Sequence, residues 1–287
     1  MFSPRFCVIF DMLLWSTLGV LRRLVQYPSG VIALARGIIG SIFLVALLYM
    51  RFGGFHWNTL RKNWLPLLLG GTLLGTNWAV LFEAYQFTHV GIAELFYFTN
   101  TIFIALLAPV FTKEKISKKN WLCILVALLG MTLVSGAYQL NIAAKDALGI
   151  ALATFAALES AGVVLCGKKL KGISSSETAT VQLIIASIIL IPYTLCTADL
   201  GAIEWCLDTS FMVTLFMGVF HTGLAYILFF RGVAGTPAAQ YTILSYIDPI
   251  FAILWGWLLL GETLNLPQII GAVLIMGSLM YSELAKK

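Results

Sequence analysis

Of 287 residues, 60% are hydrophobic and 11% are charged, with a net charge of +5. Soluble globular chains carry about 45–50% apolar and about 25% charged residues. A water-surrounded fold of this composition would expose large apolar patches and is excluded. Nucleic-acid binding is excluded too, because the Lys and Arg residues sit in the gaps between apolar runs instead of lining one folded face.

The first apolar run covers residues 6–24. Arg5 precedes it, and Arg22 and Arg23 follow it where a cleavable signal would carry small residues, so it reads as a retained helix. Nine further runs cover 30–50, 64–84, 89–111, 119–137, 147–166, 177–196, 210–230, 237–259 and 266–284. A membrane-spanning helix needs about 20 mainly apolar residues. The runs are continuous, whereas a β-barrel would alternate, and backbone amides in lipid must pair within their own segment. The expected fold class is therefore an all-α integral membrane protein with ten transmembrane helices.

Basic residues orient the chain. With the N-terminus cytoplasmic, the inner segments hold Arg5, Arg51, Arg61, Lys62, Lys113, Lys115, Lys118, Lys119, Lys168, Lys169, Lys171, Arg231, Lys286 and Lys287, 14 in all. The outer segments hold three, Arg22, Arg23 and Lys145, while Arg36 falls within the second run. Positive charge favours the cytoplasmic side, so both termini are expected there. The 197–209 loop agrees, with Asp199, Glu204 and Asp208 and no Lys or Arg. Its flanking Cys196 and Cys206 could pair in an oxidising space, but free thiols are the plainer reading. Cys7, Cys123 and Cys166 lie in apolar runs, and no C-x-x-C spacing occurs.

The second half echoes the first. Glu114 follows the fourth run and Glu262 the ninth, 148 residues apart. Gly130 and Gly136 mark the fifth run as Gly271 and Gly277 mark the tenth, and Arg22–Arg23 and Lys168–Lys169 close the first and sixth. Five helices is an odd number, so two such units in series point in opposite directions, an inverted repeat of the kind secondary transporters use. The expected units are 1–137 and 147–287. On Tyr246-Ile247-Asp248-Pro249-Ile250-Phe251-Ala252 with Gly261-Glu262, and Phe98-Thr99-Asn100-Thr101-Ile102-Phe103 with Lys113-Glu114-Lys115, the chain resembles the EamA-like branch of the drug/metabolite transporter superfamily. The resemblance implies export or exchange of a small metabolite. One departure matters: that branch often carries proline where Thr101 aligns with Pro249, and here proline comes later, at Pro109, so a kink in the fourth run is expected to shift.

Charged groups at mid-helix cost roughly 2.5–3.5 kcal/mol to insert, so each must face a cavity or a partner. The intramembrane ionisable set is Asp11, Arg36, Glu83, Glu94, Glu159, His221 and Asp248. Helical spacing puts Glu94, Tyr97 and Thr101 on one face with Asn100 beside them, and Tyr241, Ser245 and Asp248 on another. Either face lines a cavity or holds interhelical hydrogen bonds. Pro249 frees a carbonyl one turn back, so unwinding beside Asp248 is expected. Arg36 is expected either to pair with Glu94 or Glu83 or to touch substrate. Trp15, Trp78, Tyr97, Tyr226 and Tyr241 are candidates for a pocket wall. Trp57, Trp64, Trp121, Trp205 and Trp257 suit interface anchors. The candidate substrate-binding set is Trp15, Arg36, Asn77, Glu94, Tyr97, Asn100, His221, Tyr226, Tyr241 and Asp248. Gly37, Gly40, Gly70, Gly71, Gly271, Gly277 and Ser278 would let helices approach closely.

No H-E-x-x-H, G-x-S-x-G or Walker A motif occurs, so an enzyme or an ATP-driven pump is not indicated, and no metal or cofactor is expected. No filter segment or large ligand domain supports a channel or receptor. The expected function is a secondary transporter, exporter or exchanger, of small metabolites such as amino acids or drug-like compounds, working by alternating access in a bacterial cytoplasmic membrane. An exchanger of a nucleotide-like metabolite is the alternative. Proton coupling through Glu94 or Asp248 and a homodimeric state are carried as further expectations.

Overall fold

The apolar runs are all helical in the computed structural model of the protein, which describes residues 2–139, 146–202 and 206–284. Lys145, Glu204, Trp205, Lys286 and Lys287, used above for orientation or as an anchor, lie outside the described residues. In chain order, α1 (Pro4–Ser16) and α2 (Leu18–Arg23) make the first span, followed by α3 (Ser29–Phe52), the short α4 (Trp57–Lys62) and α5 (Trp64–Phe87). The fourth span is broken into α6 (Val90–Tyr97) and α7 (Asn100–Phe111), and α8 (Lys118–Val134) closes the first half. The second half has α9 (Ala147–Lys169) and α10 (Ser175–Thr197). It continues through α11 (Thr209–Phe216), a π-helical stretch (Met217–Leu224) and α12 (Ala225–Gly235). The broken pair α13 (Ala238–Leu244) and α14 (Ile247–Leu260) and then α15 (Leu266–Leu284) complete it.

Eight of these stretches are long and apolar enough to cross a membrane, not ten. The two that fall short are α8, at 17 residues, and α15, whose apolar helix is counted only over Leu266–Ser282. Lys118, Lys119 and Asn120 occupy the first turn of α8, which shortens its apolar part. The two pack against each other. Large apolar side chains face outward all around the bundle, among them Met50 at 77% exposure, Val110 at 76% and Leu129 at 64%. Only lipid makes such a surface favourable.

Both halves break one helix at matching places. In the ninth span the break falls at Ser245–Tyr246, one turn before Pro249, where the missing amide leaves the Ser245 carbonyl without its helical donor. In the fourth span the break falls at Phe98–Thr99, not near Pro109, which α7 accommodates. Threonine does the work of proline there. Thr99 Oγ1 donates to the Phe96 carbonyl at 2.5 Å and Thr101 Oγ1 to that of Phe98 at 3.0 Å, so hydroxyls add to the three-residue amide bonds of Thr99 and Thr101 that replace the regular helical ones. The break also invalidates a continuous helical face from Glu94 to Thr101 or from Tyr241 to Asp248. Thr101 instead meets Tyr246 Oη at 2.8 Å, joining the two breaks in the buried centre. Tyr246→Phe removes that bond and is expected to lower stability by about 1 kcal/mol, read as a reduced Tm in detergent.

Packing repeats the exchange of halves. The partnership of α1 with α12 is matched by α9 with α5, that of α3 with the π stretch by α10 with α5, and that of α1 with α14 by α9 with α6 and α7. The pairs α3–α10 and α8–α15 map onto themselves. Direction is inverted as well. The Pro4 start of α1 lies against Gly235, beside Thr236, whose carbonyl accepts from Lys168 at the far end of α9. The first span therefore leaves the end of the molecule at which α9 arrives. Among the described residues that end carries 12 Lys and Arg residues and the opposite end two, Arg22 and Arg23. Cys196 and Cys206 are both exposed and unpaired. Trp57, Trp64 and Trp257 are exposed at 65%, 60% and 49%, as anchors at a lipid boundary would be.

Candidate functional site

The π stretch positions much of the centre. A π turn widens the helix and frees main-chain groups, and such turns concentrate at functional sites. The His221 carbonyl accepts from Trp15 Nε1 at 3.1 Å, and His221 Nε2 lies 2.8 Å from Thr17 Oγ1 at the hinge between α1 and α2. The other ring nitrogen, Nδ1, is buried without a hydrogen-bond partner. Thr222, one residue on, accepts from Arg36 Nε at 3.1 Å. Close approach allows this: a Cβ on Gly40 of α3 would stand 3.1 Å from the Gly218 carbonyl and 3.2 Å from the Gly223 amide.

Arg36 does not pair with Glu94 or Glu83. Its helix, α3, packs on α10 and the π stretch, whereas α6 packs on α9 and α5. Its guanidinium carbon lies 5.8 Å from the centroid of the Trp78 ring, a cation–π arrangement. Glu83 accepts from Tyr193 Oη at 2.9 Å, and Glu94 accepts from Tyr85 Oη.

Three carboxylates, Asp11, Asp248 and Glu94, lie within the first, ninth and fourth spans. Asp11 on α1 has no exposed surface, and neither of its oxygens has a hydrogen-bond partner. Half-buried Asp248, just past the break in the ninth span, interacts electrostatically with both Asp11 and Glu94. Tyr226 is within electrostatic reach of both Arg36 and Asp11. Its ring packs on Trp15 at 5.4 Å and on Trp78 at 6.0 Å. Tyr241 extends the wall through Phe229, at 6.1 Å.

The remaining candidates flank the acids. Tyr97 Oη donates to Asn77 Oδ1 at 3.4 Å, and Asn77 Nδ2 donates to the Ala156 carbonyl at 2.6 Å. Asn100 Nδ2 donates to Ser160 Oγ at 3.1 Å, leaving its buried Oδ1 without a partner. Glu159 accepts from Thr76 at 2.6 Å. The structure thus joins Trp15, Arg36, His221 and Tyr226 in one cluster and relates Glu94, Tyr97 and Asp248 electrostatically in a second. Sequence spacing did not single out Thr17, Ser160 or Thr222, because small hydroxyl residues in a membrane helix usually bond their own backbone. Among the described residues no group of three metal-ligating side chains gathers. A groove of about 440 Å³ between α14 and α15 is lined wholly by apolar groups such as Ile253, Leu254, Ile269 and Met276, and offers no polar contact.

A solved crystal structure superposes on the chain with a TM-score of 0.87 over 99% of each at 18% identity, showing the same fold. The uncharacterized transporter YxxF of Bacillus subtilis is 27% identical over 276 residues, 95% of this chain and 86% of that relative. The threonine/homoserine exporter RhtA of Salmonella typhimurium is 28% identical over 255 residues, 89% of this chain and 81% of the exporter. A family model matches residues 4–136 and 147–282. The repeated helical fold, the polar centre and these matches together make the chain an integral membrane protein of the EamA-like transporter family.

Proposed function

We propose that the protein is a secondary transporter of small zwitterionic metabolites, amino acids first among them, in a bacterial cytoplasmic membrane. The observation that carries the reading is the charged centre: one guanidinium beside the Trp78 ring, three carboxylates linked electrostatically through Asp248, and Tyr226 within electrostatic reach of both Arg36 and Asp11. An α-carboxylate suits Arg36, which has planar paired donors. An ammonium group suits Asp11, Asp248 and Glu94, and the aromatic wall of Trp15, Trp78 and Tyr226 takes the aliphatic part. The similarity to a threonine/homoserine exporter supports the same substrate class. Two opposed five-helix units, residues 1–137 and 147–287, rock about this centre. The basic end, with both termini, faces the cytoplasm, and a proton taken up by one of the acids accompanies exchange.

Purified protein in liposomes loaded with threonine tests this. External labelled threonine is expected to accumulate by counterflow in wild type, and Arg36→Gln to reduce that uptake at least tenfold. Counterflow with a nucleotide-like metabolite and none with any amino acid would overturn the reading.

A further inference from the structure

The two halves carry matching ion pairs at opposite ends of the broken ninth span, α13–α14. At the basic end, Lys168 Nζ at the close of α9 lies 2.8 Å from Glu114 Oε1 and donates to the Thr236 carbonyl at 2.6 Å. The other oxygen of Glu114 accepts from the Ala238 amide at the start of α13. Burial alone would raise the Glu114 pKa. The bonds from Lys168 and Ala238 outweigh it and hold the carboxyl below its usual range, so Glu114 stays ionised at neutral pH. The α13–α14 span runs for about 34 Å, and past its far end Glu262 pairs with Arg23 at the close of α2.

The numbering shift of 148 that relates Glu114 to Glu262 also relates Thr236 and Ala238 to Thr88 and Val90. Thr88 and Thr236 both end their helices in extended backbone, and both hydroxyls are buried without a partner. The two ends differ in one respect. The Lys168–Glu114 pair is seated on its turn, with side chains 6% and 31% exposed. The Arg23–Glu262 pair is 60% and 46% exposed, and among the described residues no hydrogen bond ties it to Thr88–Val90.

We propose that these are the two gate latches of the transport cycle, and that Arg23, Glu262, Glu114 and Lys168 are its positioning residues. In the conformation seen, the basic end is latched and the Arg23 end is open. In the opposite conformation Arg23 donates to the Thr88 carbonyl, Glu262 accepts the Val90 amide, and Lys168–Glu114 lifts from Thr236–Ala238. The inference rests on alternating access but needs no substrate identity, so it can fail or stand independently of the amino-acid reading.

The test is a spin-label distance between cysteines at Val90 and Thr263, in a background with the five native cysteines replaced by serine, reconstituted in lipid without substrate. Glu114→Gln and Lys168→Met are each expected to shift the distribution to shorter distances, because freeing the basic end lets the Arg23 end close. Glu262→Gln is expected to lock it at the long distance. The swap R23E/E262R restores wild-type exchange between the two distances. The swap E114K/K168E does not, because that latch also needs a donor for Thr236 and an acceptor for Ala238 at fixed positions. Unchanged distributions in all single variants, or a shift of the same sign at both ends, would overturn the proposal. Should the cysteine-replaced protein fail to fold, alkylation of Val90→Cys with only the exposed Cys196 and Cys206 replaced by serine decides the same question: protection in Glu114→Gln but not in Glu262→Gln is expected, and equal labelling refutes it.

Discussion

Asp11→Asn is expected to abolish transport while raising the Tm of the empty protein in detergent. The carboxyl group is wholly buried and neither oxygen is hydrogen-bonded. Leaving a buried polar group without a partner costs about 1–3 kcal/mol, and more when it is charged; an amide of the same shape removes the charge but keeps the need for hydrogen-bond partners, so the gain is the charge-dependent part alone. Binding has the opposite sign. If Asp11 with Asp248 receives the substrate ammonium, removing one partner of a buried charge pair costs about 2–5 kcal/mol, equivalent to a loss of roughly 30-fold or more in affinity. Sites held in an unfavourable empty state for the sake of binding show this trade between stability and activity. Asp248→Asn should show the same transport loss with a smaller gain in Tm, since Asp248 is only half-buried. A fall in Tm for Asp11→Asn with transport intact would mean that Asp11 is structural.

Gly271→Ala is expected to be the most damaging single methyl group added to the α8–α15 pair. Its Cβ would stand 2.5 Å from the Gly130 carbonyl oxygen and 2.9 Å from Leu133 Cβ, and the converse Cβ on Gly130 would stand 2.7 Å from the Gly271 oxygen. Backbone cannot give way as a side chain can, so the helices must part, and overpacking of this kind costs typically about 1–3 kcal/mol. Helices in lipid have no hydrophobic drive to reassociate and depend on such close contact. Gly277→Ala is the control. No atom lies within 4 Å of its Cβ position, and alanine's better helix propensity should raise stability by up to about 1 kcal/mol. Unfolding of the purified variants, followed by tryptophan fluorescence, separates the two. Equal effects would show that the α8–α15 crossing does not depend on Gly271.

Apolar periodicity made the helices legible, because a membrane leaves the backbone only one way to satisfy its amides. The fourth run was expected at 89–111 and is helical over Val90–Phe111; the ninth was expected at 237–259 and is helical over Ala238–Leu260. Pro249 announced the break beside Asp248, since a missing amide is visible in sequence. The matching break at Phe98–Thr99 was not visible, because Thr99 and Thr101 achieve it through side-chain rotamers that no residue name encodes. The same limit applies to Arg36. The need to neutralise it suggested Glu83 or Glu94 as partners, but helix neighbours decide, and α3 faces the π stretch. The π stretch has no marker in Met217–Leu224 beyond its glycines. Asp11 stood out as a buried charge, but that it shares an electrostatic neighbourhood with Asp248 depends on how the two halves pack.

The most direct measurement is equilibrium binding of labelled threonine to the detergent-purified protein, with competition by threonine methyl ester, which lacks the carboxylate, and by the corresponding hydroxy acid, which lacks the amine. If the Arg36 guanidinium and the Asp11, Asp248 and Glu94 carboxylates hold the two ends of one zwitterion, unlabelled threonine competes and each derivative is weaker by about 30-fold or more. Arg36→Gln should erase the penalty for the ester, and Asp248→Asn the penalty for the hydroxy acid. Equal competition by all three compounds, or the same selectivity in both variants, would contradict the account.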